Sequence, residues 1–372
     1  MQNKSNFLKI TFIYFVSLVL FVGIRIIFNL GFLSNLGEIW QEIISTLLIQ
    51  VVVMFFVPLM FYFLLFRKKP KETFSNLGYK KINFKAILIC VGIGIIAFFL
   101  NIVISSIFNG IITALGYKSS GSSTSGDYSL VNFFVNVVCV AILPALCEEF
   151  IHRGLLMRGM FNSISVKHAL ILSSICFGLM HLNIVQVFYA SILGLLIGFV
   201  SIIGKSVWPA VIIHFVNNFI NVYLSFASHN NWLFGNFYDA ISNFISKNFL
   251  ISLIVIILAI CVLVYFLIKL IMMLLKITSF ESFKNVIIKL KKNLNKDIVN
   301  YSTGEEVNEM NYIGDIEPII LENILEPKNM TELFLQDIYP KERLVLKDRI
   351  FMIASLFLGS VITIFTFIWG LL

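Results

Sequence analysis

Charge is what this chain lacks most. Only 13% of its 372 residues are charged and 59% are hydrophobic, with a mean hydropathy of +0.93. A typical soluble domain is about 25% charged and about 45–50% apolar. So little charge cannot cover a water-soluble fold of this length, which excludes soluble globular, disordered and collagen-like classes. Cysteine is sparse too. Cys90, Cys139, Cys147, Cys176 and Cys261 show no C-x-x-C spacing and lie in or at the ends of apolar runs. A disulfide framework and a zinc knuckle are therefore disfavoured. The formal net charge is +8, but the basic residues fall mainly in short loops between apolar runs, as membrane topology requires. No stacking module or basic groove is legible, so nucleic acid is not an expected partner.

What the chain has in abundance is long apolar runs. A helix needs about 20 mostly apolar residues to cross about 30 Å of hydrocarbon. That criterion gives spans near 8–30, 42–66, 85–108, 129–147, 168–184, 186–203, 207–227, 249–275 and 349–371. The expected fold is an all-α, polytopic transmembrane bundle of about eight or nine spans, with a cytoplasmic insert before the last span. The fifth and sixth runs are short and separated by little more than Leu182-Asn183, as in a tight hairpin. Lys4 and Lys9 precede the body of the first run, and no small-residue cleavage site follows it, as in a retained signal-anchor. Five regions follow: N-terminal helices and loops 1–128, a helical core 129–227, a further helix 228–277, a charged insert 278–347 and a last helix 348–372.

Lys and Arg set the expected orientation. Arg67, Lys68, Lys69, Lys71, Lys80 and Lys81 follow the second run, whereas the loop before it has no Lys or Arg. Assigning the basic loop to the cytoplasm puts the N-terminus inside, and Arg158, Lys167, Lys205 and Lys276 then fall on the same side. Residues 278–347 hold 12 of the 20 acids together with nine Lys and Arg, beginning with the basic, helix-like stretch Phe280 to Lys296. They read as a partly helical or disordered cytoplasmic insert. A role in binding a cytoplasmic partner or gating substrate stays open, and nothing in the insert argues for chemistry.

Ionisable groups at membrane depth are few, and they cluster. Up to Lys276 the acids are Glu38, Glu42, Glu72, Asp127, Glu148, Glu149 and Asp239; Glu148 and Glu149 alone follow directly on the apolar core of a span. His152, His168, His181 and His214 lie within 63 residues of one another. A charged side chain at the bilayer centre costs about 2.5–3.5 kcal/mol on insertion scales, so such groups tend to be functional and partnered. Glu149 and Arg153, Phe177 and His181, and His214 and Asn218 are each four apart, hence on one helix face. A carboxylate, imidazoles and an amide converging in an apolar bundle can activate water and stabilise an oxyanion. Pro144, four residues before Glu148, opens the helix and frees backbone groups there. Each group also has a structural reading. Glu148 and Glu149 could mark a charged helix end, His181 could be an interior histidine, and His214 with Asn218 could be a bundle hydrogen bond. Phe177 is expected to pack, His152 to lie at the interface beside the site, His168 to be solvated, and Arg25 to be structural.

These residues also form three motifs. Glu148-Glu149-Phe150-Ile151-His152-Arg153-Gly154 fits E-E-x-x-x-R(-G), Phe177 to His181 fits F-x-x-x-H, and His214 to Asn218 fits H-x-x-x-N. In this order, on successive apolar helices, they resemble the CPBP family, the CAAX-protease and bacteriocin-processing (Abi) intramembrane proteases that include Rce1-like enzymes. The resemblance covers roughly residues 130–226. It implies that Glu148 is the general base, assisted by His181. His214 and Asn218 would stabilise the oxyanion, and Glu149 with Arg153 would form a positioning ion pair. It implies an endopeptidase cutting a peptide or membrane-protein segment, in peptide-signal or bacteriocin maturation or self-immunity, with the site open towards the cytoplasm. No H-E-x-x-H is present. Zinc on Glu148, His181 and His214 remains open, and metal-free water activation by glutamate is preferred. Residue usage rich in Ile, Asn, Lys and Phe reads as a low-GC bacterium, hence a multi-pass protein of a bacterial plasma membrane. The competing reading is a non-enzymatic immunity or transport protein using the polar cluster for a ligand or protons.

Overall fold

A computed structural model describes residues 2–118, 127–161, 163–247, 251, 253–278 and 344–371. Most of the insert expected over 278–347, including Phe280 to Lys296, lies outside the described residues, as does most of the Ser/Gly-rich loop 118–129. Among the described residues the apolar runs form helices and no strand occurs. We number them α1 (Gln2–Asn29), α2 (Glu38–Phe66), α3 (Pro70–Asn76), α4 (Phe84–Ala114), α5 (Leu130–Met160), α6 (Val166–Leu179), α7 (Ile184–Ile203), α8 (Trp208–Asn230), α9 (Phe237–Lys247), α10 (Leu253–Thr278) and α11 (Leu346–Leu371).

Eight of these helices are long and apolar enough to cross a membrane, and the protein is an all-α polytopic bundle. The expected fifth span, 168–184, is instead the 14-residue α6, which ends at Leu179. Fourteen residues reach only about 21 Å at 1.5 Å per residue, short of the hydrocarbon core. The turn after α6 therefore sits inside the bundle end rather than beyond it: Thr366 of α11, five residues before that helix ends, donates to the Leu182 carbonyl. Leu182 takes a left-handed backbone (φ 54°), and the Asn183 side chain caps α7 by accepting from the Val185 and Gln186 amides. Two short helices, α3 and the amphipathic α9, were not anticipated from hydropathy.

The expected fourth span stops at Cys147, where the carboxylates begin. The helix does not. α5 continues through Glu148 and Glu149 to Met160, widening into π-type turns over Val137–Ile142 and Phe150–Met157. Local π turns inside α-helices recur at functional sites. The first π stretch leads into Pro144, whose missing N–H cannot bond to Val140, and the Asn218 side chain donates to that carbonyl at 3.0 Å.

Two apolar clusters flank the centre. One joins α1, α2, the lower part of α5, α6 and α11 around Ile13, Phe150, Leu155 and Met157. The other joins α4, α7 and α8 around Ile93, Ile197 and Ile213. α10 adds Leu274 and Leu275 to the second cluster and is otherwise largely exposed. Small residues let the central helices approach. A Cβ on Gly178 would clash with Ser191 and with the Val187 carbonyl, so α6 and α7 can meet this closely only at glycine.

Hydrogen bonds fix which loops share a face. The Val207 amide donates to the Gly78 carbonyl at 2.9 Å, Ser206 to Lys80 at 2.7 Å and Arg158 to Ser201 at 3.0 Å. These join the 67–83 loop, the end of α5 and the turn between α7 and α8 on one face. At the other face Asn230 donates to the Tyr128 carbonyl and the Lys118 amide to Gly370. On the first face, burial and the neighbouring Lys80 ammonium push Lys205 below its ordinary range.

Candidate active site

Glu149 projects into the dry centre of the bundle. Its Oε1 accepts from Arg153 Nη1 at 3.0 Å, one turn along α5, and from His214 Nδ1 at 2.8 Å on α8. Glu149 and Arg153 are completely buried and His214 nearly so. The guanidinium is held on two further sides. Its Nη2 donates to the Gly194 carbonyl at 3.0 Å, and its carbon lies 4.4 Å from the centre of the Phe177 ring. A Cβ on Gly194 would lie 3.3 Å from Nη2, so glycine brings α7 within reach. A buried charge is tolerated only when paired and hydrogen-bonded, and these contacts meet that condition for Arg153.

Glu148 has the opposite surroundings. Half-buried, it lines a cavity of about 230 Å³ with Phe21, Arg25, Gln50, Met54, His181 and Gln186. Gln50 Nε2 donates to Glu148 Oε1 at 2.8 Å. His181 shares the cavity and donates through Nδ1 to the Phe177 carbonyl at 2.9 Å. In the neutral ring that bond leaves Nε2 as an acceptor.

Phe177 is the hinge between the two groups. Its ring contacts those of His181 (5.2 Å between centroids), His214 (5.7 Å) and His152 (5.2 Å) edge-on. The ring is buried and packed among these side chains.

Five of the six candidate residues thus fall into two sets. Glu149, Arg153 and His214 form one hydrogen-bonded unit, and Glu148 with His181 faces the cavity. Asn218 joins neither directly: its Nδ2 is engaged by Val140, and its Oδ1 accepts from Asn217 at 3.2 Å. His152 departs from expectation. It is fully buried rather than interfacial, donates through Nδ1 to the Glu148 carbonyl at 2.8 Å, and has the Tyr14 hydroxyl 3.5 Å from Nε2. His168 is exposed, at the start of α6, where the Ser165 hydroxyl pairs with its ring. Arg25, expected to be purely structural, lines the cavity.

Sequence reading missed Gln50 and Tyr14. Gln50 is the one amide within the otherwise apolar run 47–66, the kind of lone polar group that signals a partner at membrane depth. Tyr14 carried no comparable mark among the many aromatics of α1.

The cavity lining gathers towards the end of the bundle away from the basic loops. Arg25 lies near the end of α1, Ser45 and Thr46 in the first turns of α2, His181 in the α6–α7 turn, and Gln186 in the first turn of α7. All are near the face bearing residues 30–37 and 180–183. Towards the other face every residue from Phe150 to Met157 is buried, and so is Met160. Apolar side chains therefore seal the basic side of Glu148.

The same geometry bears on metal ligation. Among the described residues no set of three or more His, Cys, Asp and Glu side chains is gathered as a metal site. His214 turns Nδ1 to Glu149, in a different set from Glu148 and His181. The donors named for zinc do not fit it in this arrangement, and no step is routed through a metal here.

Fold and site together define a class, a multi-pass helical membrane protein with a carboxylate–imidazole cluster inside the bundle. Within that class, residues 130–220 match the family model for Rce1-like, type II CAAX prenyl endopeptidases. The matched segment contains all six candidate residues, from Glu148 to Asn218. No curated protein and no solved structure matches the chain.

Proposed function

We propose that the protein is an intramembrane endopeptidase in which Glu148 activates water, with His181 assisting. The observation that carries this reading is the division of two adjacent carboxylates. Glu149 is committed to Arg153 and His214, while Glu148 faces a cavity with a free edge and an amide donor on one oxygen. A general base must reach the proton it removes, and of the two only Glu148 is placed to meet a water. The Gln50 amide holds one oxygen of that carboxylate in place by its hydrogen bond and leaves the other towards the cavity. His181, with Nδ1 held by a carbonyl, offers Nε2 to the same space and can relay the proton. Backbone and side-chain N–H groups that stabilise an oxyanion act most strongly where water is scarce. We assign that task to His214 and Asn218, as the resemblance of their motif implies. His214 Nε2 and the second N–H of Asn218 remain to serve it once substrate is present.

The substrate is a peptide or a membrane-protein segment, and the lipid bilayer is the second partner. Peptide-signal or bacteriocin maturation, or self-immunity, is the proposed setting in a bacterial plasma membrane. The mechanism uses no metal. Reconstituted full-length protein offered a peptide panel, with and without a prenylated carboxyl-terminal motif, tests it. Glu148→Gln and His214→Ala, made separately, should each lower cleavage about a hundredfold or more, and chelator should leave the parent rate unchanged. Undiminished cleavage in both variants, at normal expression, contradicts the reading. Loss of activity in chelator with rescue by zinc contradicts its metal-free form.

A further inference from the structure

We infer that the cavity draws both water and substrate from the extracytoplasmic side, so that the peptide cut is one presented outside the cell or at the outer leaflet. This rests on the peptidase reading above and adds the compartment of the substrate.

The argument has three parts, each from a different observation. The first is depth. Glu148 lies 12 residues before the end of α5 at Met160, at most about 18 Å along the helix axis at 1.5 Å per residue, since the π-type turns over Phe150–Met157 shorten the path. Arg158, two residues before that end, reaches the turn after α7 through Ser201, so the end of α5 marks the basic face. Leu130, where α5 begins on the opposite face, lies 18 residues before Glu148, so the carboxylate is deep in the bundle from both ends, and the face that serves it is the one the other helices leave unsealed.

The second is sealing. From Phe150 to Met157 α5 is buried on every side, packed among Ile10, Ile13, Leu170 and Tyr79. Nothing polar in that stretch leads to the basic face except Arg153 and His152, and both are committed, to Glu149 and to the Glu148 carbonyl. On the other side the short α6 ends early and drops its turn below the helix ends. That leaves Gln186 and Arg25 exposed around the cavity mouth.

The third is sidedness. The sealed face carries Arg67, Lys68, Lys69, Lys71, Lys80, Lys81, Arg158 and Lys205, whereas on the other face loops 30–37, 180–183 and 231–236 contain no Lys or Arg and Lys118 is the one basic residue between α4 and α5. Loops rich in Lys and Arg stay in the cytoplasm. The cavity therefore opens to the outside. A peptide reaching it from there need not cross the bundle, and a cytosolic peptide meets the sealed core.

The test needs no knowledge of the natural substrate. Membrane vesicles of both orientations, prepared from bacteria making the full chain, receive a pooled set of charged, membrane-impermeant quenched fluorogenic peptides. Cleavage is expected in right-side-out vesicles and to be lost in inside-out ones until detergent opens them. Cleavage confined to intact inside-out vesicles overturns the inference and leaves the peptidase reading standing. Absence of cleavage in both, and in detergent, counts against the peptidase reading alone, and the sidedness is then decided by thiol labelling. Ser34→Cys, Ser45→Cys and Lys68→Cys are made in a Cys261→Ser background, the other four cysteines being buried. An impermeant maleimide should label positions 34 and 45 in intact spheroplasts, and position 68 only after permeabilisation. Labelling of position 68 from outside, or of position 45 only after permeabilisation, overturns the inference.

Discussion

The two halves of α5 are built from the same apolar residue types and behave as different solvents. Before Glu149 the helix borders a cavity, and its one carboxylate there is met by an amide and open space. From Glu149 onward it is dry, and its charges close on each other through Arg153, His214 and Phe177. One residue of sequence, from 148 to 149, rotates the side chain by about 100° on a helix and moves a carboxylate from one regime to the other. A site that must polarise water and yet stay folded in lipid needs both. The dry unit holds three helices in register, and the wet carboxylate is left free to react.

Breaking the dry half should give the largest effect. Arg153→Met leaves Glu149 a buried charge without its counter-ion, a loss of about 3–5 kcal/mol, read as a drop in thermal unfolding temperature in detergent. Adding Glu149→Gln to that variant should recover part of the loss, because no unpaired charge remains. A double variant no more stable than Arg153→Met would show that packing, not charge, dominates there.

Perturbing the wet half should act on rate more than on stability. Gln50→Ala removes a hydrogen bond to a charged group, worth about 1.5–3 kcal/mol. Because Glu148 borders a cavity, its solvation replaces much of that in the resting fold. Cleavage should fall about tenfold with little change in unfolding temperature.

Smaller effects are expected at the border. Asn218→Ala strips the Val140 carbonyl of its side-chain donor and should cost about 1 kcal/mol in unfolding free energy, besides its effect on cleavage. Phe177→Leu keeps apolar volume but loses the ring under Arg153, a destabilisation of about 0.5–2 kcal/mol. Equal effects of Phe177→Leu in the presence and absence of Arg153, compared through the double variant, would remove the cation–π contact from the account.

Much of this was legible in the sequence, for a physical reason. In an apolar chain each ionisable group stands out, so Glu148, Glu149, Arg153, His181 and His214 marked themselves by scarcity. Four-residue spacing placed Glu149 with Arg153, a local geometry that helices fix. Contacts between distant helices were not available in the same way. That His214 turns to Glu149 rather than Glu148, or that Gln50 reaches across 98 positions of chain to Glu148, depends on how α2, α5 and α8 pack. The fourth span was cut short because a charged pair resembles a helix end when its partners are unseen. The fifth span is longer in the hydropathy than in the fold because apolar residues carry it past Leu179 through the turn at Met180 to Ile184. The side on which the cavity opens followed from neither composition nor motif, but from which part of α5 the other helices bury.

The central claim, that the paired glutamates divide structure from chemistry, is tested most directly by thermal unfolding of Glu148→Gln and Glu149→Gln side by side. The account predicts that Glu148→Gln unfolds within a degree or so of the parent, a change under about 0.5 kcal/mol as for a surface substitution. Glu149→Gln should unfold well below it, because Arg153 loses its buried counter-charge. Equal destabilisation, or a larger loss for Glu148→Gln, would contradict the division and the assignment of Glu148 as the free base.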